Sequence, residues 1–231
     1  MKAFQFKNFS VLQQEEVFKI GTDGVLLGAM SSVGAGQRIL EIGTGSGLIS
    51  LMAAQRNVQA FITAIDINPD AAELAAQNFK NSPFHERMEC LQADFKNFES
   101  EEKFDLILCN PPYFEENPSV KHVLARQQTE LDFRSLIIRS TLLLSPSGIF
   151  SVIIPFESGN VFEELTRENQ LHLIKKINIS GIAGSKPKRL VMEFCFTEKP
   201  LVEGHFTIEK SPRKYSDQYL ELTKEFHVFK K

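Results

Sequence analysis

The chain contains no tryptophan, and its three cysteines (Cys90, Cys109, Cys195) lie far apart with no C-x-x-C spacing. An odd, dispersed set excludes a disulfide framework and a thiolate zinc site; it reads as small buried hydrophobes in a reducing compartment. Five scattered histidines add no metal signature, and no metal is expected. Long hydrophobic runs are missing too. The longest, Leu106–Cys109 and Ile149–Pro155, fall far short of the roughly 20 residues that a membrane span needs. No long apolar stretch follows Lys2, so no signal peptide is expected. Nor is there a surplus of positive charge: 26 Lys and Arg stand against 29 Asp and Glu, a net charge of −3. What remains is 231 residues, 42% hydrophobic and 24% charged, the profile of a cytoplasmic globular enzyme or binding domain with a sizeable core.

Charge is unevenly placed. Five bases and no acid lie between Asn169 and Met192, whereas five acids against two lysines run from Asp94 to Asp105. Each run reads first as a solvated face. Short apolar runs alternate with helical patterns. Strands are expected at Arg38–Ile42, Phe61–Asp66, Arg87–Leu91, Phe104–Cys109, Ile149–Ile154, Leu171–Ile179 and Leu190–Thr197. Helices are expected at Leu48–Ala54, Asp70–Phe79, Leu131–Leu144 and Asn160–Glu168. That alternation implies βαβ units and an α/β fold with a mainly parallel seven-stranded sheet, helices on both faces, and an antiparallel hairpin at one edge.

The segment Arg38-Ile-Leu-Glu-Ile-Gly43-Thr-Gly45-Ser-Gly47 is a strand running into a glycine turn and a helix start. A dinucleotide fingerprint wants a further glycine where Leu48 stands, so a pyrophosphate is disfavoured. Asp66 ends the second strand, placed to accept both hydroxyls of a ribose. Glu41 would repel a phosphate but suits a cation, and Asp94 could accept from an adenine amino group. Ile67 and Phe95, each beside one of these acids, are counted as cofactor contacts, although Phe95, like Phe104 and Phe150, also reads as core. A ligand with a ribose, an adenine and a positive centre but no phosphate is S-adenosylmethionine.

Asp105-Leu-Ile-Leu-Cys-Asn110-Pro111-Pro112-Tyr113 is the most specific stretch. Two prolines stiffen the backbone after an apolar strand. The Asn110 amide oxygen and the Pro111 carbonyl are two acceptors on one rigid loop, suited to hold a planar NH₂. Tyr113 could stack on a flat substrate, with Phe114 nearby. Asn110, Pro111, Pro112 and Tyr113 are therefore the candidate catalytic residues, and Asn110 also counts toward the cofactor. Cys109 has no histidine near it in sequence and reads as core.

Glu41-Ile-Gly-Thr-Gly-Ser-Gly with Asn110-Pro-Pro-Tyr resembles the class I methyltransferases that modify exocyclic or amide nitrogens. The run Phe18-Lys19-Ile-Gly21-Thr22-Asp23-Gly24, with Ala125-Arg126, Lys186-Pro187-Lys188-Arg189 and Tyr215-Ser216, narrows this. Together they are similar to the bacterial family that methylates N6 of adenosine 37, beside the anticodon of valine tRNA. The resemblance implies a Rossmann-like class I methyltransferase fold over residues 37–231, with residues 1–36 as a cover over the cofactor pocket. It implies S-adenosylmethionine as cofactor, Lys19, Thr22 and Asp23 as pocket residues, and a monomer with tRNA as its partner. From the residues alone, Asp23 is equally an N-cap for a helix Val25–Ser32. Arg126, Lys186, Lys188 and Arg189 are candidate phosphate contacts, with a solvated hairpin tip as the competing reading of the last three. The alternatives are methylation of another nucleobase or of a protein glutamine amide, a non-catalytic RNA-binding module, and a nicotinamide oxidoreductase.

Overall fold

The computed structural model describes residues 2–14, 20–34, 37–111 and 132–227. The segment opens with a two-stranded antiparallel hairpin, β1 (Lys2–Gln5) and β2 (Ser10–Gln13), then helix α1 (Thr22–Met30). The central α/β unit follows: β3 (Arg38–Ile42), α2 (Leu48–Arg56), β4 (Phe61–Asp66), α3 (Pro69–Lys80), β5 (Met88–Gln92) and β6 (Phe104–Cys109). Beyond β6 come α4 (Phe133–Leu143), β7 (Leu144–Pro155), α5 (Gly159–Glu168), β8 (His172–Ile182) and β9 (Arg189–Cys195). The C-terminal part adds β10 (Val202–Ser211), β11 (Lys214–Tyr215) and α6 (Asp217–Thr223).

Local chemistry sets the helix starts. Asn68 caps α3, its side chain accepting from the Asp70 and Ala71 amides, with Pro69 pre-set in the first turn. Asp132 and Ser216 cap α4 and α6 in the same way, each accepting from the amide three residues on. Helix α1 differs from expectation. Gly21 is its N-cap and Asp23 lies in the first turn, so Asp23 is not the cap.

Nine strands form one sheet in the order β11-β10-β8-β9-β7-β6-β3-β4-β5. All seven anticipated strands are present, and β9 runs antiparallel to both β7 and β8. The β8–β9 hairpin does not end the sheet, however. β10 adds in parallel to β8, and β11 folds back on β10. Strand alternation divides the core between the two faces. Ile39, Leu106 and Leu108 pack with Leu26, Leu27, Ile49 and Ala53 under α1 and α2, while Leu40, Ile107 and Phe150 pack with Leu136, Ile137 and Phe162 under α4 and α5. The N-terminal hairpin seats Phe6, Phe9 and Val11 against Met52 and Phe79, and Asn78 of α3 bonds both the N–H and the C=O of Leu12.

The acidic run proves structural at its C-terminal end: Asp105 accepts from the Gln37 and Arg38 amides, at 2.8 and 3.1 Å, and Glu102 pairs with Arg38. The basic run divides. Lys175 pairs with buried Glu193 at 2.9 Å and Lys176 with Glu163 at 3.0 Å. No helix among the described residues is long and apolar enough to cross a membrane.

Candidate active site

Register brings the site together. Ile42 lies opposite both Ile65 of β4 and Cys109 of β6, so Gly43, Asp66 and Asn110 are the next residues on three adjacent parallel strands. Asp66 itself pairs with Gln92 of β5, which puts Ala93 and Asp94 just beyond the same edge. The chain steps outward in one direction through β3, β4 and β5, then in the other through β6 and β7. A crevice opens at that switch between β3 and β6, outside the carboxyl ends of the strands.

The crevice is a cavity of about 650 Å³, within the range of small-molecule sites. Its wall takes Ile20 to Gly24 from the start of α1, Glu41 to Ser46 from β3 and its turn, Leu48 and Ile49 from α2, Ile65 to Asn68, Ala93 to Phe95, and Cys109 to Pro111. Thr22, Asp23, Glu41, Gly43, Gly45, Asp66, Ile67, Asp94, Phe95, Asn110 and Pro111 are thereby gathered around one space. Lys19, Pro112, Tyr113 and Arg126 lie outside the described residues.

Gly47 does not line the cavity. It holds φ +81°, and a Cβ there would stand 2.5 Å from the buried Phe79 ring, so its role is to let α2 pack on α3. Gly43, at φ +68°, has open space where a Cβ would be.

Glu41 is the electrostatic centre. It is 1% exposed. Its Oε2 accepts from Thr44 Oγ1 at 2.7 Å, from the Ser50 amide at 2.9 Å and from Ser50 Oγ. Its Oε1 is buried and has no hydrogen-bond partner among the described residues. Burial pushes the Glu41 carboxyl up to about 7, against the hydroxyl and amide bonds that favour its charge. An orphaned buried carboxylate oxygen in a cavity wall calls for a cation or a donor.

Asp66 accepts from the Gly45 amide at 2.8 Å through Oδ2 and from the Asn68 amide at 2.9 Å through Oδ1. Each oxygen keeps a further lone pair for a ligand hydroxyl. Asp94 accepts from the Lys96 amide at 2.9 Å. Leu48, Ile49, Ile65, Ile67 and Phe95 supply apolar surface around these acceptors. Acceptors for hydroxyls and an unsatisfied buried carboxyl in one cavity wall fit S-adenosylmethionine.

Asp23 also takes part in an ion pair, accepting from Arg189 Nε at 2.8 Å. Arg189 is thus held against the cavity wall. Lys186 and Lys188 are exposed on the loop between β8 and β9. Cys109 is buried, and burial beside Glu41 drives its thiol far above the ordinary range, so it is inert as a nucleophile. No group of His, Cys, Asp and Glu among the described residues could hold a metal ion.

Sequence reasoning did not single out Ile20, Thr44, Ser50 or Asn68. Thr44 and Ser50 carried a signal: hydroxyls within and one turn beyond the glycine turn, facing a strand-end carboxylate.

A mainly parallel sheet with its ligand cavity at the β3/β6 switch, a G-x-G-x-G turn and Asn-Pro at the end of β6 define a class I methyltransferase. Solved structures share the fold. A predicted O-methyltransferase from Agrobacterium tumefaciens superposes with a TM-score of 0.69 at 18% identity, covering 88% of this chain and 96% of that one. A methyltransferase from Pyrococcus furiosus gives 0.61 at 19% identity, covering 83% and 91%. The family model described as methyltransferase small domain matches residues 6–152. Over 99% of its length the chain is 53% identical to a protein of Flavobacteriaceae bacterium (strain 3519-10), covering all of that relative. It is 40% identical to one from Flavobacterium psychrophilum, covering 97% of this chain and 99% of the relative. Both relatives bear the name tRNA1(Val) (adenine(37)-N6)-methyltransferase. The chain belongs to that family.

Proposed function

We propose that this chain transfers a methyl group from S-adenosylmethionine to N6 of adenosine 37 in tRNA1(Val). The observation that carries the reading is the shared wall: Asn110 and Pro111 line the same cavity as Glu41 and Asp66. An amino group held at Asn110 therefore meets the cofactor's space directly.

In this reading Asp66 accepts the ribose hydroxyls, Glu41 faces the positive end of the cofactor, and Asp94 accepts from the adenine amino group. Ile67 and Phe95 provide the apolar walls for the adenine, and Gly43 and Gly45 bring the backbone close. Thr22 and Asp23, with Lys19, close the pocket from the N-terminal side, so the part of residues 1–36 that covers it is the stretch leading into α1. When bound, S-adenosylmethionine supplies an electrophilic methyl group. The chain's part is positioning. The Asn110 side-chain oxygen and the Pro111 carbonyl accept the two N6 hydrogens and orient the nitrogen lone pair, while Pro112 stiffens the loop and Tyr113 stacks on the base. An unstacked loop base needs little protein to reach it, which suits a chain of this size. Lys186, Lys188, Arg189 and Arg126 contact phosphates. The enzyme works as a cytoplasmic monomer.

The test is incubation of the purified chain with cofactor and unmodified tRNA1(Val) transcript, followed by nucleoside mass spectrometry. One N6-methyladenosine per tRNA, absent when adenosine 37 is replaced, is expected. Methylation of a glutamine-containing peptide instead, with the tRNA untouched, would refute the assignment.

A further inference from the structure

One edge of the sheet carries more than the pocket. Strands β3, β6, β7, β8 and β10 all run in the same direction, so their carboxyl ends lie along a single edge. The glycine turn and Asn110 leave that edge at one position, and the turns after β8 and β10 leave it farther along. These two turns are direct neighbours. Ile182 pairs with Glu209, and the Ala183 amide donates to the Glu209 carbonyl at 2.9 Å.

Both turns are basic. Residues 183–189 and 209–217 hold six lysines and arginines against two acids. Arg189 is paired with Asp23 and Lys210 with Asp217. Glu209 is occupied with the Arg213 amide, its Oε2 accepting at 3.2 Å. That leaves Lys186, Lys188, Arg213 and Lys214, all exposed and with no ion-pair partner among the described residues. Arg213 sits at φ +63°, a left-handed turn conformation that only a few residue types adopt readily.

From β6 to β10 is four strand steps through β7, β9 and β8. At about 4.8 Å each, that is about 19 Å, or roughly six steps at the rise of about 3.4 Å of a B-form strand and more at the shorter rise of A-form RNA. A base beside an anticodon lies within a few nucleotides of the paired stem, so backbone at that distance belongs to the stem.

We infer that Arg213 and Lys214, with Lys186 and Lys188, form a phosphate-binding rim for the double-stranded stem of an RNA hairpin whose loop base enters the pocket. This rests on the proposed tRNA reading and extends it to a second, separate contact. The rim gives affinity and register without reading sequence, because phosphate contacts carry no base information. It also explains how a chain of net negative charge engages RNA: the positive charge is concentrated on one edge.

The experiment measures binding of the full chain, with cofactor present, to two labelled RNAs across a salt series. One is the anticodon stem-loop; the other is a single-stranded oligonucleotide of the loop sequence alone. The variant is Arg213→Asn with Lys214→Gln, since Asn tolerates the left-handed position. Lys199→Ala, on the opposite edge before β10, is the control. The double variant is expected to bind the stem-loop about tenfold more weakly, with a log–log salt slope shallower by about two. Its affinity for the loop oligonucleotide changes less than twofold, and the control matches the wild type on both RNAs. An unchanged stem-loop affinity and slope overturns the rim. Equal losses on both RNAs also overturn it, because the residues would then touch the loop. A wild-type chain that binds cofactor but neither RNA refutes the tRNA reading itself, and the rim with it.

Discussion

Glu41 makes a prediction that separates the pocket's electrostatics from its shape. Its carboxyl is pushed from 4.5 to about 7 by burial, which at about 1.4 kcal/mol per pKa unit disfavours its ionised form by about 3 kcal/mol. Between those two values the folded chain holds a proton that the unfolded chain has released. Stability therefore falls as pH rises through this window and levels off above it. Glu41→Gln abolishes that contribution. The variant gives up some strength in the bonds from Thr44 and Ser50, about 1 kcal/mol, because its acceptor is neutral. Above pH 7 it should still be more stable than the wild type, by about 2 kcal/mol. The assay is urea denaturation of both cofactor-free proteins at pH 5 and pH 8, where other titrating groups cancel in the difference. The gap should shift by about 2–3 kcal/mol in favour of the variant between the two conditions. Cofactor affinity should move the other way, weakening at least tenfold, because the cation loses its carboxylate. Wild-type and variant stabilities that run parallel with pH would refute the reasoning.

Further outcomes follow from the packing. Gly47→Ala meets Phe79 at 2.5 Å from a left-handed backbone and should lose about 2–4 kcal/mol in denaturant melts. Gly43→Ala, with open space around its Cβ, should lose only about 1 kcal/mol while raising the cofactor dissociation constant. Lys175→Met removes the counter-ion of the buried Glu193 carboxylate, which keeps its bonds from Ser32 and Ser151, and should cost about 3 kcal/mol by the same melts. Iodoacetamide at pH 8 should leave Cys109 unmodified in the folded protein, as peptide mass spectrometry would show, because burial keeps its thiol protonated. Cys90, half-buried and pushed up to about 12, should react slowly at most.

The parallel core was legible because its strands β3, β4, β6 and β7 each carry a short apolar run bounded by a turn signal. Glu41, Asp66, Asp94 and Asn110 were legible because residues at or just beyond the carboxyl end of a parallel strand fall on the ligand edge whatever the rest of the chain does. Other features depended on contacts that no local pattern encodes. β10 reads Val-Glu-Gly-His-Phe-Thr-Ile-Glu-Lys-Ser, half polar and glycine-interrupted, and only pairing with β8 makes it a strand. β7 begins at Leu144, through Ser145-Pro146-Ser147-Gly148, where a register shift against β6 accommodates residues that read as a helix stop. The Asp23–Arg189 pair joins residues 166 apart, so the local reading of Asp23 as a cap missed it. Gly47 belonged to the motif by spacing, yet the structure uses it for helix packing, since its Cβ position points at Phe79 rather than the cavity.

The proposed role of Asn110 is to orient the substrate nitrogen in a pocket whose cofactor is held mainly by Glu41, Asp66 and Asp94. Cofactor dissociation constant and single-turnover methylation of tRNA1(Val) transcript, measured together for Asn110→Ala, test it most directly. Affinity within about tenfold of the wild type and a methylation rate lower by about 10²–10³ are expected. A variant that holds cofactor and methylates at the wild-type rate would contradict it.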